Sequence, residues 1–147
     1  MIYTPLINRA MILAYNAHNG QKDKSGLPYI FHVAHIAEQM QTEDTIVIAL
    51  LHDTLEDTQI TEEHLKLIGC SEKIIDAVKA ITRKKNEPYF DYIKRCKKNE
   101  LACTVKIADL MHNSNLDRLP YVDEKDKKRV CKYTDALNIL LQKEISK

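Results

Sequence analysis

The chain is poor in the residues that interrupt regular structure: its 147 residues include three glycines and four prolines. So few turn-forming residues do not fit a protein built from many short strands, and no strand pattern is found. No low-complexity tract, linker or internal repeat is present either. Long stretches instead repeat apolar residues at helical spacing, so the sequence predicts an all-α fold.

The chain also lacks a strong net charge and a long apolar run. Its 22 basic and 21 acidic residues give a net charge of +1, which argues against a protein that binds nucleic acid by neutralising phosphates. No apolar run approaches the roughly 20 residues that span a bilayer. The N-terminus has no secretory signal pattern. We therefore expect no membrane or nucleic-acid partner, only local anion binding, and a cytoplasmic protein.

The four cysteines follow neither the spacing of a zinc site nor that of a dense disulfide framework. We expect reduced thiols, as is typical of the cytoplasm. They are Cys70, Cys96, Cys103 and Cys131.

With 44% hydrophobic residues, a chain of this length suits one domain with one core, and we expect that domain to cover residues 1–147. Helix starts are indicated by Pro5, by Thr61 and Ser71 as N-caps, and by Pro88. The predicted helices cover residues 5–17, 29–40, 43–55, 61–69, 71–81, a segment after 88, 100–112 and 124–144. The sequence predicts one all-α bundle of six to eight helices.

The most informative feature is the pair His52-Asp53, with Glu56-Asp57 one helical turn later. The pair follows the uniformly apolar residues 46–51, which indicate a buried helix. Ionisable groups at such a helix end cost folding free energy unless they are paired, and a divalent metal ion is the simplest partner. An imidazole beside a carboxylate supplies two ligands, and the next acidic pair is placed to orient and deprotonate a bound water.

Two further ligands are expected from other helices. His32 follows the one long polar loop, residues 19–28, and Asp109 interrupts an otherwise apolar helix face. With His52 and Asp53 they form a set of two imidazoles and two carboxylates. Such a set without thiolate favours Mn²⁺, Fe²⁺ or Mg²⁺ over a structural zinc. This layout predicts a hydrolase that acts on a phosphate bound at the metal.

Each of these residues also has a structural interpretation. A single histidine such as His32 is more often a hydrogen-bonded residue of the core or of a helix end than a metal ligand. His35, one turn later, is an alternative candidate for the ligand. Asp109 is placed to pair with Lys106. The His-Asp pair is harder to explain in this way, because the residues before it are uniformly apolar. Taken together, the set favours a functional site.

Three blocks of the sequence resemble the HD superfamily of metal-dependent phosphohydrolases, and within it the alarmone hydrolases of the RelA/SpoT type. They cover residues 17–32, which include Gly26-Leu27-Pro28-Tyr29-Ile30 and His32, then residues 49–58, then residues 105–113. The blocks follow the family's order across most of the chain. More narrowly, the chain is similar to small stand-alone relatives that lack a synthetase domain. We therefore expect a single HD-domain bundle that degrades its nucleotide without making it.

The resemblance implies roles for individual residues. The matches to metal ligands, usually for Mn²⁺, are His32, His52, Asp53 and Asp109. The matches to the acidic pair that activates the attacking water are Glu56 and Asp57. The matches to nucleotide contacts are Lys24, Ser25, Asn113 and Tyr133. The implied reaction removes pyrophosphate from the 3′ position of (p)ppGpp and gives GDP or GTP.

The chain departs from that pattern at three positions. Asp23 stands where alarmone hydrolases usually carry an arginine that stacks on guanine, and an aspartate makes no such contact and would repel phosphate. Leu110 and Ser114 replace an arginine and a methionine that are common in the long enzymes. The preferred base is therefore open, and an adenine alarmone is an alternative substrate.

Two other functions remain open at this point. Other HD-fold proteins are nucleotidases and phosphatases, so ordinary nucleotides or NADPH are alternative substrates. The second alternative function is a non-catalytic nucleotide-binding module. In that case the basic clusters at residues 94–98 and 125–129 would bind an acidic partner or RNA. Acidic residues among and beside these clusters favour solvated helix faces instead. The oligomeric state is open.

Overall fold

The computed structural model describes residues 1–142, and its regular structure in that range is helical. The elements are α1 (Pro5–Ala17), α2 (Ile30–Glu38), α3 (Glu43–Leu51), α4 (Thr54–Asp57), α5 (Glu62–Leu67), α6 (Glu72–Ile81), α7 (Tyr89–Lys97), α8 (Glu100–Asn113), a 3₁₀ turn η1 (Leu116–Arg118) and α9 (Glu124–Leu141). If the single turn α4 is counted with α3, the described range holds eight helices. The predicted all-α bundle is confirmed. The predicted end of the last helix, Glu144, lies outside the described residues.

Helix α3 lies at the centre of the bundle. Its residues 45–51 are all buried, and it packs against α1, α2, α6 and α8. A helix that is apolar on every face has to be surrounded in this way. Its N-terminus is capped by the Thr42 hydroxyl, which accepts the Thr45 N–H at 3.2 Å. The core therefore fixes the residues that follow its C-terminal end, which are the site residues.

The outer helices begin and end at local signals. The predicted cap Ser71 accepts the Ile74 N–H at 3.3 Å, so α6 begins as expected. Helix α5 ends at Leu67, two residues before the predicted Gly69. Gly69 follows with φ +103°, the left-handed backbone that commonly ends a helix and favours glycine. Helix α9 packs across α7 and α8.

The prediction of one helix over residues 43–55 is wrong, because the helix breaks at His52 and Asp53. The Thr54 hydroxyl donates to the Leu51 carbonyl at 2.8 Å, and the His52 ring nitrogen Nδ1 lies 2.6 Å from the Ala49 carbonyl. These side chains bind carbonyls that a continuing helix would bond through its backbone. Hydrophobic periodicity does not report such side-chain competition, since Leu55 continues the apolar pattern.

The four cysteines are unpaired in the structure, in agreement with the prediction; Cys70 and Cys96 are buried. None of the helices in the described range has the length and apolar character needed to cross a membrane.

Candidate metal centre

Four side chains from three segments meet beside the polar loop. His32 comes from the first turn of α2, His52 and Asp53 from the break between α3 and α4, and Asp109 from α8. Each offers one ligand atom, and these atoms all lie within 4.8 Å of one another. Three of the four residues are buried, and Asp53 is partly buried. The four candidate ligands therefore converge as the sequence pattern anticipates.

The ligand atoms lie close to one another. The Asp109 Oδ1 atom lies 2.9 Å from His32 Nε2 and 3.3 Å from His52 Nε2. The Asp53 Oδ2 atom lies 3.0 Å from His52 Nε2. Two imidazole nitrogens and two carboxylate oxygens within this space fit a divalent cation with further positions for water and substrate.

Each imidazole is turned toward the centre by a contact on its other nitrogen. The His52 Nδ1–H donates to the Ala49 carbonyl, which leaves the Nε2 lone pair facing the cluster. His32 Nδ1 lies 2.6 Å from His112 Nδ1. Burial, together with the charges of Arg118 and neighbouring histidines, lowers the pKa of His112 to about 4. His112 is therefore neutral near pH 7, and in the tautomer with its proton on Nε2 its Nδ1 would accept the His32 Nδ1–H.

The two carboxylates are also held by second partners. Asp109 Oδ2 accepts from Lys106 Nζ at 2.9 Å, and its Oδ1 accepts from the Asn113 amide at 3.2 Å. The Tyr29 hydroxyl donates to Asp53. Burial alone would raise the pKa of the Asp109 carboxyl, but the charge of Lys106 holds it well below its usual value. Asp109 thus makes the ion pair with Lys106 and also lies in the cluster of candidate ligands.

Glu56 and Asp57 lie on α4, exposed and grouped with Asp53 at possible ligand distance. Burial and neighbouring carboxylates raise the pKa of both side chains. Gln21 of the polar loop donates to the Asp57 carbonyl at 2.9 Å and accepts from His18 at 2.8 Å. The loop is therefore tied to α4, beside the acidic pair.

A pocket of about 230 Å³ opens beside the cluster. Three predicted substrate-contact residues, Lys24, Asn113 and Tyr133, line it together with His32. Ser25, the fourth, does not line it; it lies in a neighbouring pocket of about 630 Å³ that His32 shares. Its hydroxyl donates to Asp23 at 2.6 Å.

Asp23 has a structural role that its sequence position does not reveal. Its Oδ1 atom accepts from the Ser25 N–H at 2.9 Å and the Leu27 N–H at 3.0 Å, and so folds the loop around Gly26. Its Oδ2 atom lies 3.7 Å from the Arg118 guanidinium. The expected repulsion of phosphate is therefore offset, because Arg118 brings a positive charge to the same wall of the pocket.

Several cations and rings near the centre were not predicted as site residues. They are Tyr29, His112, Arg118 and Arg129. Of these, Tyr29 and His112 lie within the sequence blocks that resemble the family, so the sequence carries a signal for them. Arg118 and Arg129 lie outside these blocks, and only the folded structure shows that they line the pocket.

Known proteins with similar sequences are alarmone enzymes. A GTP pyrophosphokinase of Myxococcus xanthus is 31% identical over 146 residues, covering 88% of this chain and 19% of its own length. A guanosine-3′,5′-bis(diphosphate) 3′-pyrophosphohydrolase of Aquifex aeolicus is 31% identical over 140 residues, covering 87% and 20%. The enzyme of that name from Haemophilus influenzae is 37% identical over 116 residues, covering 69% and 17%. The chain spans about a fifth of the length of these curated relatives.

No family model matches the chain. Among solved structures, a metazoan ortholog of SpoT, described as hydrolysing ppGpp, superposes with a TM-score of 0.73 at 22% identity. The match covers 96% of this chain and 93% of that one, so the two share a fold over almost their whole length. In sequence this chain is therefore similar to one part of these alarmone enzymes, and in fold it is similar to the SpoT ortholog.

Proposed function

We propose that this chain is a divalent-metal-dependent phosphohydrolase that removes the 3′-pyrophosphate from guanosine 3′,5′-bis(diphosphate)-type alarmones, (p)ppGpp, to give GDP or GTP. The observation that carries the proposal is the convergence of four ligand atoms from three segments, next to a pocket lined by cations. The names of the relatives support the choice of substrate. The mixed nitrogen and oxygen ligands suit Mn²⁺, Fe²⁺ or Mg²⁺, and we propose Mn²⁺ because the family resemblance implies it. We further propose a single domain over residues 1–147 that works in the cytoplasm.

In this proposal His32, His52, Asp53 and Asp109 hold the ion, which when bound supplies Lewis acidity to the attacked phosphate. Glu56 and Asp57 orient the attacking water and accept its proton. The raised pKa of both carboxyls supports this role, because a higher pKa makes a carboxylate a stronger base.

Substrate binding is assigned to the pocket beside the cluster. Lys24 contributes positive charge to the phosphates, and Asn113 and Tyr133 contribute polar contacts from α8 and α9. Ser25 is assigned to the same site through its place on the loop, where it supports Asp23. Since Asn113 also donates to Asp109, it links the nucleotide to the metal centre.

The test is a Mn²⁺-dependent hydrolysis assay that compares guanosine and adenosine 3′-pyrophosphates, with ordinary nucleotides and NADPH as further substrates. We expect intact pyrophosphate from the guanosine compound. Release of orthophosphate alone would support a phosphatase instead.

Asp53→Ala and Glu56→Ala should abolish turnover. Lys128→Ala, at an exposed position of α9, should retain it and serves as the control. A wild-type protein that binds these nucleotides without turning any over would be a binding module.

A further inference from the structure

The single-turn helix α4, which carries Glu56 and Asp57, has little stability of its own. The Asp57 N–H donates to the Asp53 carbonyl at 3.0 Å. The Thr58 N–H donates to the Thr54 carbonyl at 3.2 Å. One turn of helix orders several residues for few hydrogen bonds, so an isolated turn is unstable in water. Contacts from outside the turn must therefore hold its two carboxylates in place.

Gln21 of the polar loop supplies such a contact. Its amide nitrogen donates to the Asp57 carbonyl at 2.9 Å, and carbonyls at the end of a helix have no backbone partner within it. Gln21 is itself anchored, because its N–H donates to the His18 carbonyl at 3.0 Å and its carbonyl accepts the Tyr29 N–H at 2.8 Å. Since the Tyr29 hydroxyl donates to Asp53, the loop contacts both ends of α4.

The chemistry of the groups fixes the direction of these hydrogen bonds. The Asp57 carbonyl only accepts, so the Gln21 amide presents its nitrogen to that carbonyl and its oxygen to His18. The amide oxygen lies 2.8 Å from His18 Nδ1 and also only accepts, so Nδ1 carries a proton and donates. His18 therefore determines which way the Gln21 amide faces.

The burial of His18 indicates that this hydrogen bond is the reason for a histidine here. The residue is 2% exposed, and its ring packs against that of Tyr29 with the ring centres 5.0 Å apart. Its other ring nitrogen, Nε2, is buried and has no hydrogen-bond partner among residues 1–142. A buried polar atom without a partner costs free energy, so packing alone would favour an apolar ring. The contact of Nδ1 with Gln21 is what an apolar ring does not provide.

We propose that His18 and Gln21 are positioning residues for the acidic pair. Through the Asp57 carbonyl they hold α4 in the orientation from which Glu56 and Asp57 act on the attacking water. This inference rests on the proposed function and adds two residues outside the candidate ligands and substrate contacts to those that set kcat. A displacement of the acidic pair by about 1 Å is enough to lower the rate by about a hundredfold.

The test compares substitutions of the two residues in the full chain. Gln21→Met keeps the length of the side chain but removes the amide, so kcat should fall about tenfold to a hundredfold while KM and Mn²⁺ affinity stay unchanged. His18→Phe should lower kcat similarly, because the ring stays and the donor is lost. His18→Asn should restore most of kcat, since its amide nitrogen takes the place of Nδ1.

Hydrogen exchange in the metal-free protein, without substrate, reports on α4 directly. The amides of residues 54–58 should exchange at least about tenfold faster in Gln21→Met and His18→Phe than in the wild type, because the turn opens more often. The matched control is Gln39→Met, which removes an exposed amide paired with His35 at 2.9 Å after the end of α2. This control should change neither kcat nor exchange at residues 54–58.

The proposal is overturned if either kcat or the exchange is unchanged in both variants, or if Gln39→Met has the same effects. A loss of Mn²⁺ affinity equal to the fall in kcat would also overturn it, because the substitutions would then act on the ligands. Absence of hydrolysis in the wild type would instead refute the proposed function, and the exchange would still decide whether His18 and Gln21 hold α4.

Discussion

In the metal centre each candidate ligand is held by a second contact, whereas each of the two arginines that line the pocket beside it is held by a single ion pair. His52 is fixed by a backbone carbonyl and Asp109 by Lys106. Arg118, in contrast, faces Asp23 at 3.7 Å, and Arg129 faces Asp126 at 3.3 Å. The first arrangement preorganises atoms for chemistry, and the second leaves side chains free to adjust to a ligand. Substitutions at the metal centre should therefore lower turnover or Mn²⁺ affinity, whereas substitutions in the pocket should mainly raise KM.

The largest effect is expected from Asp53→Ala. This substitution removes one of four ligands, so turnover should fall at least about a thousandfold and Mn²⁺ affinity should fall with it. Titration of Mn²⁺ by electron paramagnetic resonance, combined with the hydrolysis assay, measures both. Retained Mn²⁺ affinity would mean that the ion binds elsewhere.

Glu56→Gln should separate proton transfer from metal binding. An amide occupies the same space but does not accept the proton, so kcat should fall by about a hundredfold to ten-thousandfold with the Mn²⁺ affinity unchanged. Steady-state kinetics and the same titration provide the comparison. A parallel loss of Mn²⁺ affinity would place Glu56 among the ligands instead.

His112→Phe tests the second contact of His32. The phenyl ring keeps an aromatic group in place but offers no acceptor to the His32 Nδ1–H, so Mn²⁺ affinity should fall about tenfold to a hundredfold. His35→Phe is the matched control, because the His35 ring packs against His112 but its own hydrogen-bond partner is Gln39. Equal effects of the two variants would show that general packing is responsible.

The smallest effect is expected in the pocket. Arg118→Gln removes a partly exposed charge, so KM should rise about fivefold while kcat and Mn²⁺ affinity stay unchanged. Asp23→Asn keeps the acceptor oxygen that folds the loop but removes the negative charge that faces Arg118. It therefore separates the effect of that charge from the effect of the loop conformation. A large fall in kcat for Arg118→Gln would remove the distinction between the two regions.

The sequence anticipates most of the helices because their periodicity and caps are local. It also anticipates the convergence of His32, His52, Asp53 and Asp109, since these residue types interrupt apolar surroundings. The roles of these residues, and of Glu56 and Asp57, stay predictions.

What the sequence does not reveal depends on contacts between distant segments. The break after Leu51 is set by side chains that compete for backbone carbonyls, and periodicity does not detect that competition. Asp23 looks unfavourable until Arg118 is seen to face it.

The central claim is that a single divalent ion is bound jointly by α2, the α3–α4 break and α8. A crystal structure of the Mn²⁺-loaded protein, with anomalous diffraction to locate the ion, tests it most directly. The account predicts one anomalous peak coordinated by His32 Nε2, His52 Nε2 and the carboxylates of Asp53 and Asp109. The absence of a peak between these side chains, or a peak coordinated by other residues, would contradict it.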